Sequence, residues 1–94
     1  RRLTLIQKAL KELQKAVEIN PKNAMAYYQL GNFYSGFLSE VSPSGFDFSS
    51  AAEEAYYKAA LLFKERGDKE AVKEILKKLQ LLNPKSKYLK ELRS

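Results

Sequence analysis

Apolar side chains at Ile6, Ala9, Leu10, Leu13, Ala16 and Val17 recur at intervals of three and four, which places one greasy stripe on a helix of about five turns. Asn20-Pro21 stops it. From about Ala24 to Leu38 the pattern resumes with Tyr27, Leu30, Tyr34, Phe37 and Leu38 on one face and Ala26 and Phe33 beside them. That helix is apolar over most of its circumference, as an inner element is. Residues 39–48 break the rhythm, since Pro43 and Gly45 forbid a continuous helix and Ser-Pro-Ser-Gly favours a turn.

A third helix is expected from Ser49 or Ser50, because Ser50 and Glu53 have capping-box spacing ahead of the stripe Ala52, Ala55, Tyr56, Ala59, Ala60 and Phe63. Lys64 and Arg66 suit its negative end, and Gly67 supplies a left-handed exit. Asp68 then caps a fourth helix with the stripe Val72, Ile75, Leu76, Leu79 and Leu82, which Asn83-Pro84 ends. Ser86 caps a last short helix that turns Tyr88, Leu89 and Leu92 inward. Five helices without a convincing strand make the chain all-α, and its short connections imply antiparallel neighbours.

Composition narrows the chemistry this scaffold can support. The 94 residues allow a single domain, and neither Cys nor His is present. The usual general base, proton shuttle, thiolate nucleophile and commonest metal ligand are therefore all missing. Eight serines have no His to activate them, and Glu53 and Glu54, adjacent on a helix, point about 100° apart and form no carboxylate dyad. No catalytic residue, metal site or cofactor is expected. No apolar run approaches a membrane span and no signal-peptide pattern opens the chain, so a soluble, cytoplasmic setting is expected.

Charge is unevenly spread. Residues 1–22 hold six basic and two acidic side chains, and residues 58–94 hold eleven and five. Between them lie only Glu40, Asp47, Glu53 and Glu54, a centre of −4 that also carries nine of the eleven aromatics. A basic or neutral partner with an apolar anchor suits that centre.

Val17-Glu18-Ile19-Asn20-Pro21-Lys22 and Leu81-Leu82-Asn83-Pro84-Lys85 end two helices with the same Asn-Pro-Lys signature, and the first is followed by Tyr27, Leu30, Gly31 and Tyr34. This resembles the tetratricopeptide repeat, a 34-residue pair of antiparallel helices with an aromatic, Leu-Gly and Tyr in the first helix and Pro at the end. Ala9, Leu13 and Ala16 fall on second-helix positions. A second ungapped match runs over residues 53–86, with Tyr56, Ala59-Ala60, Phe63, the Gly67-Asp68 turn and Pro84 in register. The resemblance divides the chain into a second helix (1–21), a shortened repeat with its loop at 39–48 (22–52), a repeat (53–86) and a short capping helix (87–94). Pro21 and Pro84 are 63 residues apart where two repeats need 68, so the middle unit is five short. Either that unit lost its second helix and residues 49–66 fill the slot, or a residual turn survives around Phe46 to Ser50; the uninterrupted stripe of 49–66 favours the first. Tyr27 and Tyr56 should then hold matching places on like-packed helices.

Such repeats hold peptides or helices of partner proteins in a groove lined by first helices, which implies an adaptor or assembly scaffold. Transferred position by position, the groove residues are Met25, Tyr28, Gln29, Asn32 and Ser35, then Glu54, Tyr57, Lys58 and Leu61. Tyr28 and Tyr57 occupy equivalent positions and can grip an apolar side chain. Asn32 stands where some members clamp a carboxylate, but Tyr28 replaces the companion Lys, which disfavours a clamp. Phe46 and Phe48 are candidate loop anchors, or a plug for the short repeat. Self-association, through the outer side of the first helix, is the alternative. The rows Lys8, Lys11, Lys15 and Lys69, Lys73, Lys77 offer nucleic acid or an anionic membrane a weaker claim, because Glu70 and Glu74 can pair within the second row.

Overall fold

In a computed structural model, residues 2–36 and 48–93 are described, with side chains from residue 7 and from residue 50 onward in the two stretches. They form five helices, α1 (Arg2–Ile19), α2 (Ala24–Ser35), α3 (Phe48–Glu65), α4 (Lys69–Leu82) and α5 (Lys87–Arg93), and no strand among the described residues. The local signals explain most of the boundaries. Asp68 accepts from the Ala71 amide at 3.2 Å and opens α4. Ser86 Oγ accepts from the Tyr88 amide at 3.3 Å and opens α5. Gly67, at φ +77°, makes the left-handed exit from α3 that a residue with a side chain resists.

The two Asn-Pro-Lys stretches are copies in geometry as well as in sequence. Asn20 Oδ1 accepts from the Lys22 amide and Asn83 Oδ1 from the Lys85 amide, each at 3.1 Å. The Asn20 carbonyl accepts from the Asn23 amide and the Asn83 carbonyl from the Ser86 amide, each at 3.0 Å. In both, the residue reached by that turn, Asn23 or Ser86, caps the next helix. An Asn whose side chain closes the turn, followed by a Pro that cannot extend a helix, gives the same reversal twice.

Two boundaries differ from the sequence reading. The third helix begins at Phe48 rather than at Ser49 or Ser50, so Ser50 lies inside the first turn and is not its cap. The second ends at Ser35, with Gly36 as its cap, and not at Leu38. Phe37, Leu38 and residues 39–47, with Phe46 and most of the expected loop, lie outside the described residues. Of the residual turn around Phe46 to Ser50, residues 48–50 belong to α3.

The most extensive packing is of α3 against α2, and α3 also packs on α4 and α5. Ala24, at the start of α2, shares a cluster with Ala59, Ala60 and Phe63 late in α3; Leu30 and Tyr34 share another with Ala52 and Ala55 early in it. The two helices therefore run antiparallel. Small residues allow the approach: Ala52, Ala59 and Ala60 are fully buried, and a Cβ on Gly31 would stand 2.5 Å from Tyr56 Cδ1. Ile75 and Leu79 of α4 fill the space behind α3, while Leu10, Leu13 and Val17 of α1 pack half-buried on the Leu30–Tyr34 cluster. Tyr27 and Tyr56 differ in surroundings. Tyr56 is 2% exposed, whereas Tyr27 is half-buried between the two clusters.

Candidate functional site

One side of α2 turns Tyr28, Asn32 and Ser35 toward α3 and α4, because positions four and three apart share a helical face. Tyr56 reaches them from α3 and Lys78 from α4. The Tyr56 hydroxyl donates to Asn32 Oδ1 at 2.6 Å, and the Lys78 ammonium donates to the same oxygen at 3.2 Å. Ser35 Oγ donates to the Asn32 carbonyl at 3.0 Å and lies 3.3 Å from the Tyr56 hydroxyl. The rings of Tyr28 and Tyr56 meet at 6.0 Å with a 56° tilt, and the Lys78 ammonium stands 5.4 Å from the Tyr28 centroid.

Two donors on one oxygen fix the Asn32 amide plane. Its Nδ2 hydrogens then have no acceptor among the described residues, on a side chain that is only half-buried. Lys78 is likewise half-buried and has no carboxylate within ion-pair distance among the described residues. The patch thus combines an aromatic surface, an open amide donor and an uncompensated cation, all held by helices on three sides.

The remaining expected groove residues are distributed elsewhere. Met25 and Gln29 of α2 are exposed, Met25 at 52%. Glu54 and Lys58 pair at 3.3 Å on the outer face of α3, where the Lys58 ammonium also lies 5.7 Å from the Tyr27 ring. Leu61 is exposed on that face. Tyr57 stacks on Tyr88 of α5 with centroids 4.4 Å apart. Its hydroxyl, hydrogen-bonded to Glu91, is pushed above the ordinary tyrosine pKa by that carboxylate and by partial desolvation. Tyr28 and Tyr57 thus each have another tyrosine as ring neighbour. Phe46 and the side chain of Phe48 lie outside the described residues.

Lys78 and the Tyr56 hydroxyl escaped the sequence reading. Lys78 adjoins the row Lys69, Lys73, Lys77, but its partner Asn32 is 46 residues away, and no local pattern joins them. The pairing expected of that row with Glu70 and Glu74 is not formed. The ion pair found among the described residues is Lys58–Glu54.

Two family models match the chain, one described as a TPR repeat over residues 6–36 and one described as a tetratricopeptide repeat over residues 53–86. Together they cover about two-thirds of it and leave residues 37–52 between them unmatched. No curated protein and no solved structure matches.

Proposed function

Since the chain belongs to the tetratricopeptide-repeat family, whose repeats mediate protein–protein interaction or assembly, we propose that the α2 face holds a short segment of a protein partner. The observation that carries this reading is the Tyr28–Asn32–Tyr56–Lys78 patch. A binding surface is strongest where aromatic and hydrogen-bonding groups are already immobilised, because little ordering remains to be done on association. Here the hydrogen bonds to Asn32 hold the amide so that Nδ2 can donate to a backbone carbonyl of the segment, while Tyr28 takes an apolar side chain against its ring. Of the basic or neutral partner expected, the neutral one with an apolar anchor suits the patch, because the unpaired Lys78 repels a basic segment. Of the four carboxylates that made the centre acidic, Glu54 is paired with Lys58, Glu53 accepts from Asn83 and the other two lie outside the described residues. The charge presented at the patch is that of Lys78.

The division of the chain follows the same reading. Residues 1–21 act as a second helix, 22–52 as a shortened repeat, 53–86 as a full repeat and 87–94 as a cap, with α3 standing beside α2 in place of a second helix. Of the other expected groove residues, Met25 and Gln29 adjoin the patch along α2, whereas Glu54, Lys58 and Leu61 lie on the opposite face of α3 and Tyr57 stands against α5.

The test is selection from a random peptide display library on the wild-type chain, followed by titration of the selected peptides into Tyr28→Ala, Asn32→Ala and Tyr57→Ala, with helicity followed by circular dichroism. Tyr28→Ala and Asn32→Ala should each weaken binding at least tenfold, about 1.4 kcal/mol, with helicity unchanged. Unaltered affinity in both folded variants removes the α2 face from consideration.

A further inference from the structure

No residue of α2 is charged, so charge reaches its exposed face from neighbouring helices. One flank of α4 supplies it. Asn83, just past the end of α4, donates to Glu53 near the start of α3 at 3.3 Å, so α4 runs antiparallel to α3 and therefore parallel to α2. Glu74, Lys78 and Leu81, four and three residues apart, share one side of α4. From that side Lys78 reaches Asn32 Oδ1 at 3.2 Å and stands 5.4 Å from the Tyr28 ring. With the two parallel helices pinned there, Glu74 falls one turn back, level with Tyr28, and Leu81 one turn on, level with Ser35.

Each of these side chains lacks a natural partner. Glu74 and Lys78 have the spacing and orientation at which a helical ion pair forms most readily, yet they do not pair, because the ammonium is drawn across to Asn32 and Tyr28. Glu74 is exposed, and neither it nor Lys78 has an ion-pair partner among the described residues. Leu81 is 87% exposed, the highest value among the described large apolar side chains. The flank thus presents an anion, a cation and an apolar group in that order, at steps of about 6 and 4.5 Å along the helix. A run of one sign gains at one step and loses at the next, which disfavours an anionic membrane or a polyanion. An acid and a base about 6 Å apart are four residues apart on a helix or two in an extended chain, so the flank specifies the order of charges and leaves the conformation open.

We infer that Glu74, Lys78 and Leu81 extend the α2 face into one site, selective for a partner segment that is neutral because it carries both signs. Beside the anchor on Tyr28, that segment offers a basic, an acidic and an apolar side chain, met in that order from the start of α4 to its end. The inference rests on the reading of the α2 face given above and adds to it the order of charges, and with it the direction in which the segment lies. Binding weakens with salt, since Glu74 is exposed and Lys78 only half-buried.

The experiment takes peptides selected from a random display library on the wild-type chain, synthesises them with both termini blocked, and titrates them by fluorescence anisotropy. The proteins are the wild type and Glu74→Lys/Lys78→Glu, with helicity followed by circular dichroism. Each selected peptide should carry a base and an acid and bind at least tenfold more weakly to the double variant. Exchanging those two residues within the peptide should cost as much on the wild type and restore binding to within threefold on the double variant. Glu74→Lys alone, at an exposed position, should weaken binding at least threefold, and it carries the test if the double variant loses helicity. Peptides that lose tenfold in Tyr28→Ala yet bind equally well to wild type and Glu74→Lys, in either charge order, would overturn this inference and leave the α2 reading standing. Peptides that depend on neither Tyr28 nor Asn32 would remove both. A wild-type dimer in light scattering that dissociates in Glu74→Lys and re-forms in the double variant would overturn it in favour of a second copy.

Discussion

Replacing Gly31 by Ala tests the contact on which the α2–α3 pairing depends. In an unconstrained helix interior this change stabilises by about 1 kcal/mol, because Ala loses less backbone entropy. At Gly31 the new methyl would stand 2.5 and 2.6 Å from Tyr56 Cδ1 and Cε1, well inside van der Waals contact. The ring has little room to retreat. It is 2% exposed, its hydroxyl is tied to Asn32 and Ser35, and Tyr28 packs on it. Overpacking of a filled site costs about 1–3 kcal/mol, and a pinned ring puts this one at the upper end. After the propensity gain, the net loss is about 1–2 kcal/mol, a fall in Tm of roughly 4–16 °C for a domain of this size. Thermal and urea unfolding followed by circular dichroism provides the assay. Gly36→Ala is the control: its φ is −70° and the nearest heavy atoms lie at 3.4 Å, so it should gain about 0.4–1 kcal/mol. If the ring is the obstacle, Gly31→Ala added to Tyr56→Leu costs no more than about 0.5 kcal/mol. A Gly31→Ala protein as stable as wild type, or a double variant in which the two losses simply add, refutes the reasoning.

Further outcomes follow from single contacts. Gly67→Ala should cost about 1–2 kcal/mol in the same assay although its Cβ meets nothing, since the cost lies in φ +77°. Asp68→Ala should cost about 1 kcal/mol through loss of the cap on the Ala71 amide, and Asp68→Asn much less. Leu79→Ala, at a fully buried position of α4, should cost about 2–5 kcal/mol and reduce the cooperativity of unfolding. Tyr57 titrates above the ordinary 10.0, so its contribution to stability is present below that pH and is lost as pH rises through the raised folded value. Phenolate absorbance should show this group moving down toward 10.0 in Glu91→Gln and disappearing in Tyr57→Phe.

Features determined within a few residues were legible in the sequence, and those determined across helices were not. Asn20-Pro21, Gly67-Asp68 and Asn83-Pro84 act on their own backbone, so the ends of α1, α3 and α4 could be placed from them. The start of α3 could not. Ser50 and Glu53 have the spacing of a capping box, yet Ala52 and Ala55 are buried against α2, and the helix extends back to Phe48. At the site, Tyr28, Asn32 and Ser35 share a face that their spacing alone predicts. What that face meets was hidden, because Tyr56 and Lys78 arrive from 21 to 46 residues away. The regular row of lysines drew attention to side chains that stay in water, while the half-buried Lys78 beside it belongs to the patch.

Helical repeat arrays are ordinarily modular, each hairpin adding its own increment of stability, so that ends can open while the middle holds. A helix that is buried along one side by α2 and along the other by α4 removes that independence. With α3 as their common wall, neither flank can detach without exposing the alanines on which both are seated, and the melting of this small protein should be a single event with no half-folded survivor.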